Sequence, residues 1–211
     1  MVAEGGPVDR VKKEVREMAT KTAETMTGSI VSQKQLRASF LRWTALTVPG
    51  MLLLGFGAAQ LAPTGKDNAW YAALNKPAFN PPDWVFPVAW SLLYVILGIA
   101  LAMILNARGA RLRTPALIVF FGQLVINLAW SPLFFGLHQV VFALVLVGLM
   151  FGVTMLMTIL FSQVRGLAAV LLVPYLAWLL FAAYLNYEIL ALNPGVETLA
   201  PGSTTTQIIG T

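Results

Sequence analysis

The chain has 211 residues, of which 58% are hydrophobic and 11% charged, with a net charge of +5. Soluble domains average about 45–50% apolar and about 25% charged residues, so this balance excludes an ordinary soluble core and fits a chain whose solvent is lipid. With no cysteine and a single histidine, His138, disulfides, thiolate sites, cysteine nucleophiles and the usual zinc constellations are excluded as well.

The first segment, residues 1–40, is a charged N-terminal tail. Val8, Val11, Val15 and Met18 follow each other at three, four and three residues, which is helical spacing. Arg10, Lys12, Lys13, Glu14, Arg16 and Glu17 occupy the other faces. Two readings stand: a surface amphipathic helix on anionic headgroups, or a solvated charged tail.

Five apolar runs follow, each of the roughly 20 residues needed to cross a hydrocarbon core. They cover Trp43 to Leu61, Val85 to Leu105, Pro115 to Phe135, His138 to Phe161 and Leu167 to Leu192. In lipid the backbone must satisfy its own hydrogen bonds, so continuous apolar runs are helices. A β-barrel would show alternating segments of about ten residues, and these runs do not alternate. The first run follows a hydrophilic tail and lacks a cleavage site, so it is not read as a signal peptide. The expected fold is all-α, an integral membrane bundle of five transmembrane helices over residues 41–193. Residues 194–211, with Pro194, Gly195, Pro201, Gly202 and a threonine run, read as a flexible C-terminal tail.

Charge sets the expected orientation. Arg10, Lys12, Lys13, Arg16, Lys21, Lys34, Arg37 and Arg42 in the tail, Arg108, Arg111 and Arg113 in the second loop and Arg165 in the fourth share one side. The other side carries Lys66 and Lys76 in the first loop. The positive-inside rule then puts the N-terminus in the cytoplasm and the C-terminus outside. This distribution is a topology signal, and no nucleic-acid partner is expected.

The first loop is the least ordinary stretch. Pro77, Pro81, Pro82 and Pro87 stiffen it, and Trp70, Tyr71, Phe79 and Trp84 lie among them. Such aromatics read either as an interfacial belt or as a structured cap over the bundle. Trp90 lies just beyond this loop, Trp130 near the end of the third span on the same side, and Trp178 near the middle of the fifth. Helical spacing puts Tyr94 beside Trp90, Asn127 and Gln123 beside Trp130, and Pro174, Phe181 and Ala182 beside Trp178. If these stripes face inward they line an aromatic cavity with a few amides, suited to a flat apolar ligand. If not, they are helix packing and interhelical amide bonds.

At these residues the sequence resembles the TspO/MBR family of tryptophan-rich sensory proteins and translocator proteins. The first motif is Trp70-Tyr71, Leu74, Lys76-Pro77, Pro81-Pro82, Trp84, Phe86-Pro87, Trp90 and Tyr94. Asn127-Leu128-Ala129-Trp130-Ser131-Pro132 with Phe134-Phe135-Gly136 is the second. Pro174-Tyr175-Leu176-Ala177-Trp178 with Phe181-Ala182 and Leu185-Asn186 is the third. The resemblance runs from about residue 40 to 193 and is closest to bacterial members. It implies a homodimer in a bacterial cytoplasmic membrane that binds porphyrins and haem under the first loop. The implied pocket is Trp90, Tyr94, Asn127, Trp130, Trp178, Phe181 and Ala182, with Trp70, Lys76, Pro77, Pro82 and Trp84 in the lid. No cofactor is required and no metal site is expected.

One departure matters. Animal members carry a tyrosine followed by a basic residue at the end of the fifth helix, associated with cholesterol. Here Tyr184 and Tyr187 precede Glu188 and no basic residue follows, so steroid transport is a poor inference. Three activities remain: a tetrapyrrole receptor that senses or sequesters its ligand, light-dependent porphyrin breakdown at Trp90 and Trp178, and facilitated tetrapyrrole transport. With no carboxylate dyad or nucleophile–base pair inside the spans, binding is preferred over catalysis. His138 reads as a surface turn residue rather than an axial haem ligand. Gly148 with Gly152, and Gly98 with Ala102, are alternative small-residue faces for dimerisation or for packing within the bundle.

Overall fold

A computed structural model describes residues 7–29 and 33–198. It contains α1 (Pro7–Ser29), α2 (Gln33–Ala59), α3 (Ala69–Ala73), α4 (Val85–Asn106), α5 (Arg113–Ser131), α6 (Val140–Val164), α7 (Gly166–Val170) and α8 (Val173–Leu192). Short 3-10 turns sit at Gly65–Asp67 and Val196–Thr198, and a π-turn at Pro132–Gly136 extends α5. No strand occurs among the described residues. The chain divides into two units, one ending at Ser39 and one beginning at Phe40. The expected N- and C-terminal tails reach residues 1–6, 30–32 and 199–211, which lie outside the described residues.

Five segments are long and apolar enough to span a bilayer: Gln35–Ala59, Val85–Asn106, Arg113–Gly136, Val140–Val164 and Gly166–Leu192. This is an integral membrane protein, as its sequence predicts. The boundaries fall close to expectation except at the first span, whose helix starts well before Trp43. Hydropathy locates the lipid-embedded part of that helix, whereas backbone hydrogen bonding carries it on through Arg37 and Arg42. The fifth span is divided. α7 ends at Val170 and α8 starts at Val173, one residue before Pro174. Proline has no N–H for the preceding turn and clashes with its carbonyl, so a continuous helix is not available there.

The outer surface is apolar: Leu53, Leu92, Ile118, Val125, Val145 and Leu180 are all more than half exposed. In water such a surface would aggregate; against acyl chains it is the favoured one. Inside, Leu97, Ile104, Phe120, Met150, Met157, Phe161, Leu172 and Leu179 belong to one buried core. Ala100, Ala102, Ala116, Ala143 and Ala168 are fully buried, and small residues of this kind let helix backbones approach. At the C-terminal end of α4, the Arg113 guanidinium donates to the carbonyls of Ile104 and Leu105, both at 3.2 Å. It supplies positive charge where that helix ends in free acceptors.

α2 meets α4 through a close backbone approach. The Thr47 hydroxyl donates to the Gly98 carbonyl at 2.8 Å, and a Cβ built on Gly98 would lie 2.8 Å from the Val48 Cα. The Gly98–Ala102 face is therefore used within the bundle. A Cβ on Gly148 or Gly152 meets nothing within 4 Å, so that face of α6 is open. Gly98→Val is expected to lower thermal stability in detergent by roughly 1–3 kcal/mol or more through overpacking. Gly148→Val meets no neighbour within the chain and should leave the melting midpoint of the monomer unchanged.

Candidate ligand pocket beneath the first loop

The first loop is stapled down by amides rather than by its prolines alone. Asn68 caps α3, its Oδ1 accepting from the Tyr71 N–H at 3.0 Å, as short polar residues do at helix starts. Its Nδ2 donates to the Pro63 and Phe135 carbonyls, both at 2.9 Å. Asn193, just past α8, accepts from the Asn75 N–H at 2.8 Å and donates to the carbonyls of Asn75 and Ile189. The Trp70 indole donates to the Val196 carbonyl at 3.1 Å. Residues 194–198, read from composition as the start of a loose tail, are thus a packed strap, with Val196 buried. The Glu197 carboxylate also accepts from the Val141 N–H at the start of α6.

Trp70 is 2% exposed and belongs to a cluster with Tyr71, Leu74, Phe134, Val140 and Ile189. Its ring stacks on His138 at 4.3 Å between centroids. His138 occupies the predicted turn with a positive φ of 55°, a conformation costly for most residues with a side chain.

Under this loop lies a cavity of about 720 Å³, within the ~300–1,000 Å³ range of small-molecule sites. One wall comes from the end of α2, at Gly55, Phe56, Ala58 and Ala59. Trp90 and Tyr94 of α4, Asn127 and Trp130 of α5, Val147 and Met150 of α6, and Trp178, Phe181, Ala182 and Asn186 of α8 supply the rest. Tyr71, Asn80, Asp83 and Trp84 close it from the loop side. All seven pocket residues implied by the resemblance therefore line one chamber, whereas Gln123 and Pro174 of the same stripes do not. Of the five expected in the lid, Trp84 borders it. Trp70, Lys76, Pro77 and Pro82 do not. Trp70 faces the strap, and the Lys76 ammonium sits 4.8 Å over the Tyr71 ring. The basic residue on the wall is Lys66, with Asp67 and Asp83 near it on the same rim.

The floor is a hydrogen-bonded polar chain. The Tyr94 hydroxyl donates to Asn127 Oδ1 at 2.9 Å, and Asn127 Nδ2 donates to the Tyr175 hydroxyl at 2.7 Å. Gln123 also donates to Tyr175. Three helices are thereby tied at one level. Asn186, with its amide turned to suit its surroundings, donates to the Val140 carbonyl and accepts from the Leu144 N–H. Above the floor Trp90 and Trp178 meet edge to face, 6.4 Å apart at 83°, and Trp90 lies tilted by 31° against Tyr94 at 5.5 Å. Trp130 stacks on Phe134 at 5.0 Å.

Three buried polar atoms bordering the chamber have no hydrogen-bond partner: Trp130 Nε1, Trp178 Nε1 and Asn80 Oδ1. Buried polar groups are normally satisfied, so these three are exceptions among the residues around the chamber. In the loop, burial first and the nearby Asp83 second raise the Tyr71 pKa, with the Asn80 amide opposing them. The phenol therefore stays neutral across physiological pH. Its stabilising contribution is complete below the ordinary tyrosine value near 10 and is lost as pH rises through the higher folded value. Among the described residues no cluster of His, Asp and Glu is placed to hold a metal ion.

Sequence reasoning missed the α2 wall and the rim charges. Glycine and alanine carry no chemistry to attract notice, yet a Cβ on Gly55 would lie 2.0 Å from a Tyr94 ring carbon. Only glycine leaves room there for that ring.

Five spans with an aromatic, amide-floored chamber under a stapled loop describe a membrane protein built around an internal cavity. The TspO/MBR family model matches residues 45–192, and the chain belongs to that family. It is 40% identical over 152 residues to the tryptophan-rich protein TspO of Chlorobaculum tepidum, covering 71% of this chain and 95% of that protein. It is 40% identical over 147 residues to the tryptophan-rich sensory protein of Cereibacter sphaeroides, covering 67% and 91%. The translocator protein of Sus scrofa is 44% identical over 133 residues, covering 62% and 79%.

Replacing Asn127 by Leu conserves shape but strips the acceptor from Tyr94 and a donor from Tyr175. A loss of about 1–3 kcal/mol is expected, read as a lower unfolding midpoint in detergent. Combining it with Tyr94→Phe should cost less than the sum of the two, because both remove the same bond.

Proposed function

We propose that the protein binds porphyrins, haem among them, in the chamber beneath the first loop and acts as a membrane receptor that senses or sequesters tetrapyrroles. The observation that carries this reading is the large aromatic chamber itself, lined by Trp90, Trp130 and Trp178 from three helices and floored by hydrogen-bonded amides. A flat macrocycle gains stacking area from Trp90, Trp178 and Phe181. Lys66 on the rim is the cation for a peripheral carboxylate. Asp67 and Asp83 beside it disfavour a second carboxylate at the same spot, so the ligand's two anionic arms occupy different surroundings.

A second reading rests on the Trp90–Trp178 contact. Two indoles at 6.4 Å beside a light-absorbing porphyrin are suited to photo-oxidation, with oxygen and light as co-reactants. No acid–base pair is then needed, and binding precedes any such chemistry.

The test is a titration of the purified protein with protoporphyrin, following tryptophan emission. Saturable quenching is expected, weakened by about tenfold or more in affinity for Trp178→Ala, where both stacking area and a donor are lost (each ~1–3 kcal/mol). Unsaturable quenching, or curves unchanged in both Trp90→Ala and Trp178→Ala, would remove the basis for the proposal. Illumination that yields no product beyond free porphyrin bleaching would dismiss the second reading alone.

We further propose a homodimer in a bacterial cytoplasmic membrane, its N-terminus inside. The open Gly148–Gly152 face of α6 is the surface that a second copy would use. Because the chain has no cysteine, single introduced cysteines report sidedness. Thr64→Cys should react with an impermeant maleimide from outside intact cells, and Arg111→Cys only after the cells are opened. The reverse pattern would invert the topology.

A further inference from the structure

α1 lies outside the family match, which begins at residue 45, and nothing in the chamber calls for it. It is nonetheless a helix of 23 residues with a marked division of its faces. At ~100° per residue, Val8, Val11, Val15 and Met18 fall within an arc of about 80°. Each is more than half exposed. Lys12 and Arg16 border this stripe on one side, Glu14 and Lys21 on the other, and Glu17 points nearly opposite.

We propose that α1 lies in the plane of the bilayer surface, its valine–methionine stripe in the interface and its flanking cations on anionic lipid headgroups. Chain length favours this occupant. Six positions separate Ser29 from Gln35, where the first span begins. At no more than ~3.5 Å per residue, the C-terminal end of α1 stays within about 20 Å of Gln35, two to three helical turns ahead of the apolar run that begins at Trp43. The tether makes weak insertion effectively intramolecular. Charge agrees: the stripe borders are net positive, and Lys34, Arg37 and Arg42 follow at the entry to the span. The same three–four spacing could pair two copies, but the position that continues the stripe is Thr22. The apolar seam thus ends after two repeats, too short for a stable two-stranded coil.

The test uses the full-length protein in vesicles, either of phosphatidylcholine alone or mixed with phosphatidylglycerol. Val11→Cys and Val15→Cys on the stripe, and Lys13→Cys and Glu17→Cys off it, are each labelled with an environment-sensitive dye. In anionic vesicles the labels at 11 and 15 should shift to the blue and be quenched by lipids brominated near the headgroup, while those at 13 and 17 stay water-like. The shift should shrink in phosphatidylcholine alone, in high salt, and on adding Lys12→Gln with Arg16→Gln. Four water-like labels in anionic vesicles would mean a solvated tail and overturn the proposal. Equal blue shifts in lipid-free detergent, with disulfide cross-linking between copies at 11 or 15, would overturn it in favour of helix pairing.

Discussion

Within the hydrocarbon no water is at hand to satisfy a polar group, so each one brought inside must find its partner in protein. That constraint shapes this structure most visibly at Asn127. Its amide accepts from Tyr94 and donates to Tyr175, and Gln123 reaches the same hydroxyl. Three spans are fixed at one level by groups too costly to leave unpaired. Below that level the core is packed with aliphatic and aromatic side chains; above it the helices enclose a chamber. The polar chain is the boundary between the solid and the hollow parts of the bundle.

The same constraint gives meaning to the exceptions. Trp130 and Trp178 keep buried indole N–H groups without acceptors at the chamber wall, while Trp70, on the far side of the loop, has its acceptor in Val196. The family is marked by its tryptophans, and here they divide by what their nitrogen does. One braces the loop and two keep a buried donor without an acceptor. Trp84, two-thirds exposed at the loop's end, also borders the chamber, so it combines the exposure of an interfacial aromatic with a place in the wall.

Much of the fold was legible because lipid imposes a one-dimensional code. Runs of about 20 apolar residues are spans, and four of the five boundaries follow from composition. The start of α2 was not legible, since Arg37 and Arg42 end the hydropathy signal without ending the hydrogen-bonded helix. The interruption before Pro174 was written in the sequence, but an otherwise apolar run conceals it. The three stripes of the chamber could be read from spacing around Trp90, Trp130 and Trp178. Their convergence could not, since nothing within a helix reports its rotation against a neighbour. The wall from Gly55 to Ala59 and the staple from Asn193 to Asn75 depend on residues with no distinctive local signal and partners far along the chain.

The bond from Trp70 to Val196 joins residues 126 positions apart, with Asn193 reinforcing it at Asn75. During synthesis the loop emerges well before its anchor. The chamber's roof therefore cannot be fastened until the final span has been threaded and the residues beyond it have left the ribosome. Until then the nascent bundle is a vessel with its cover unlatched, and its aromatic interior is accessible to whatever the surrounding membrane contains.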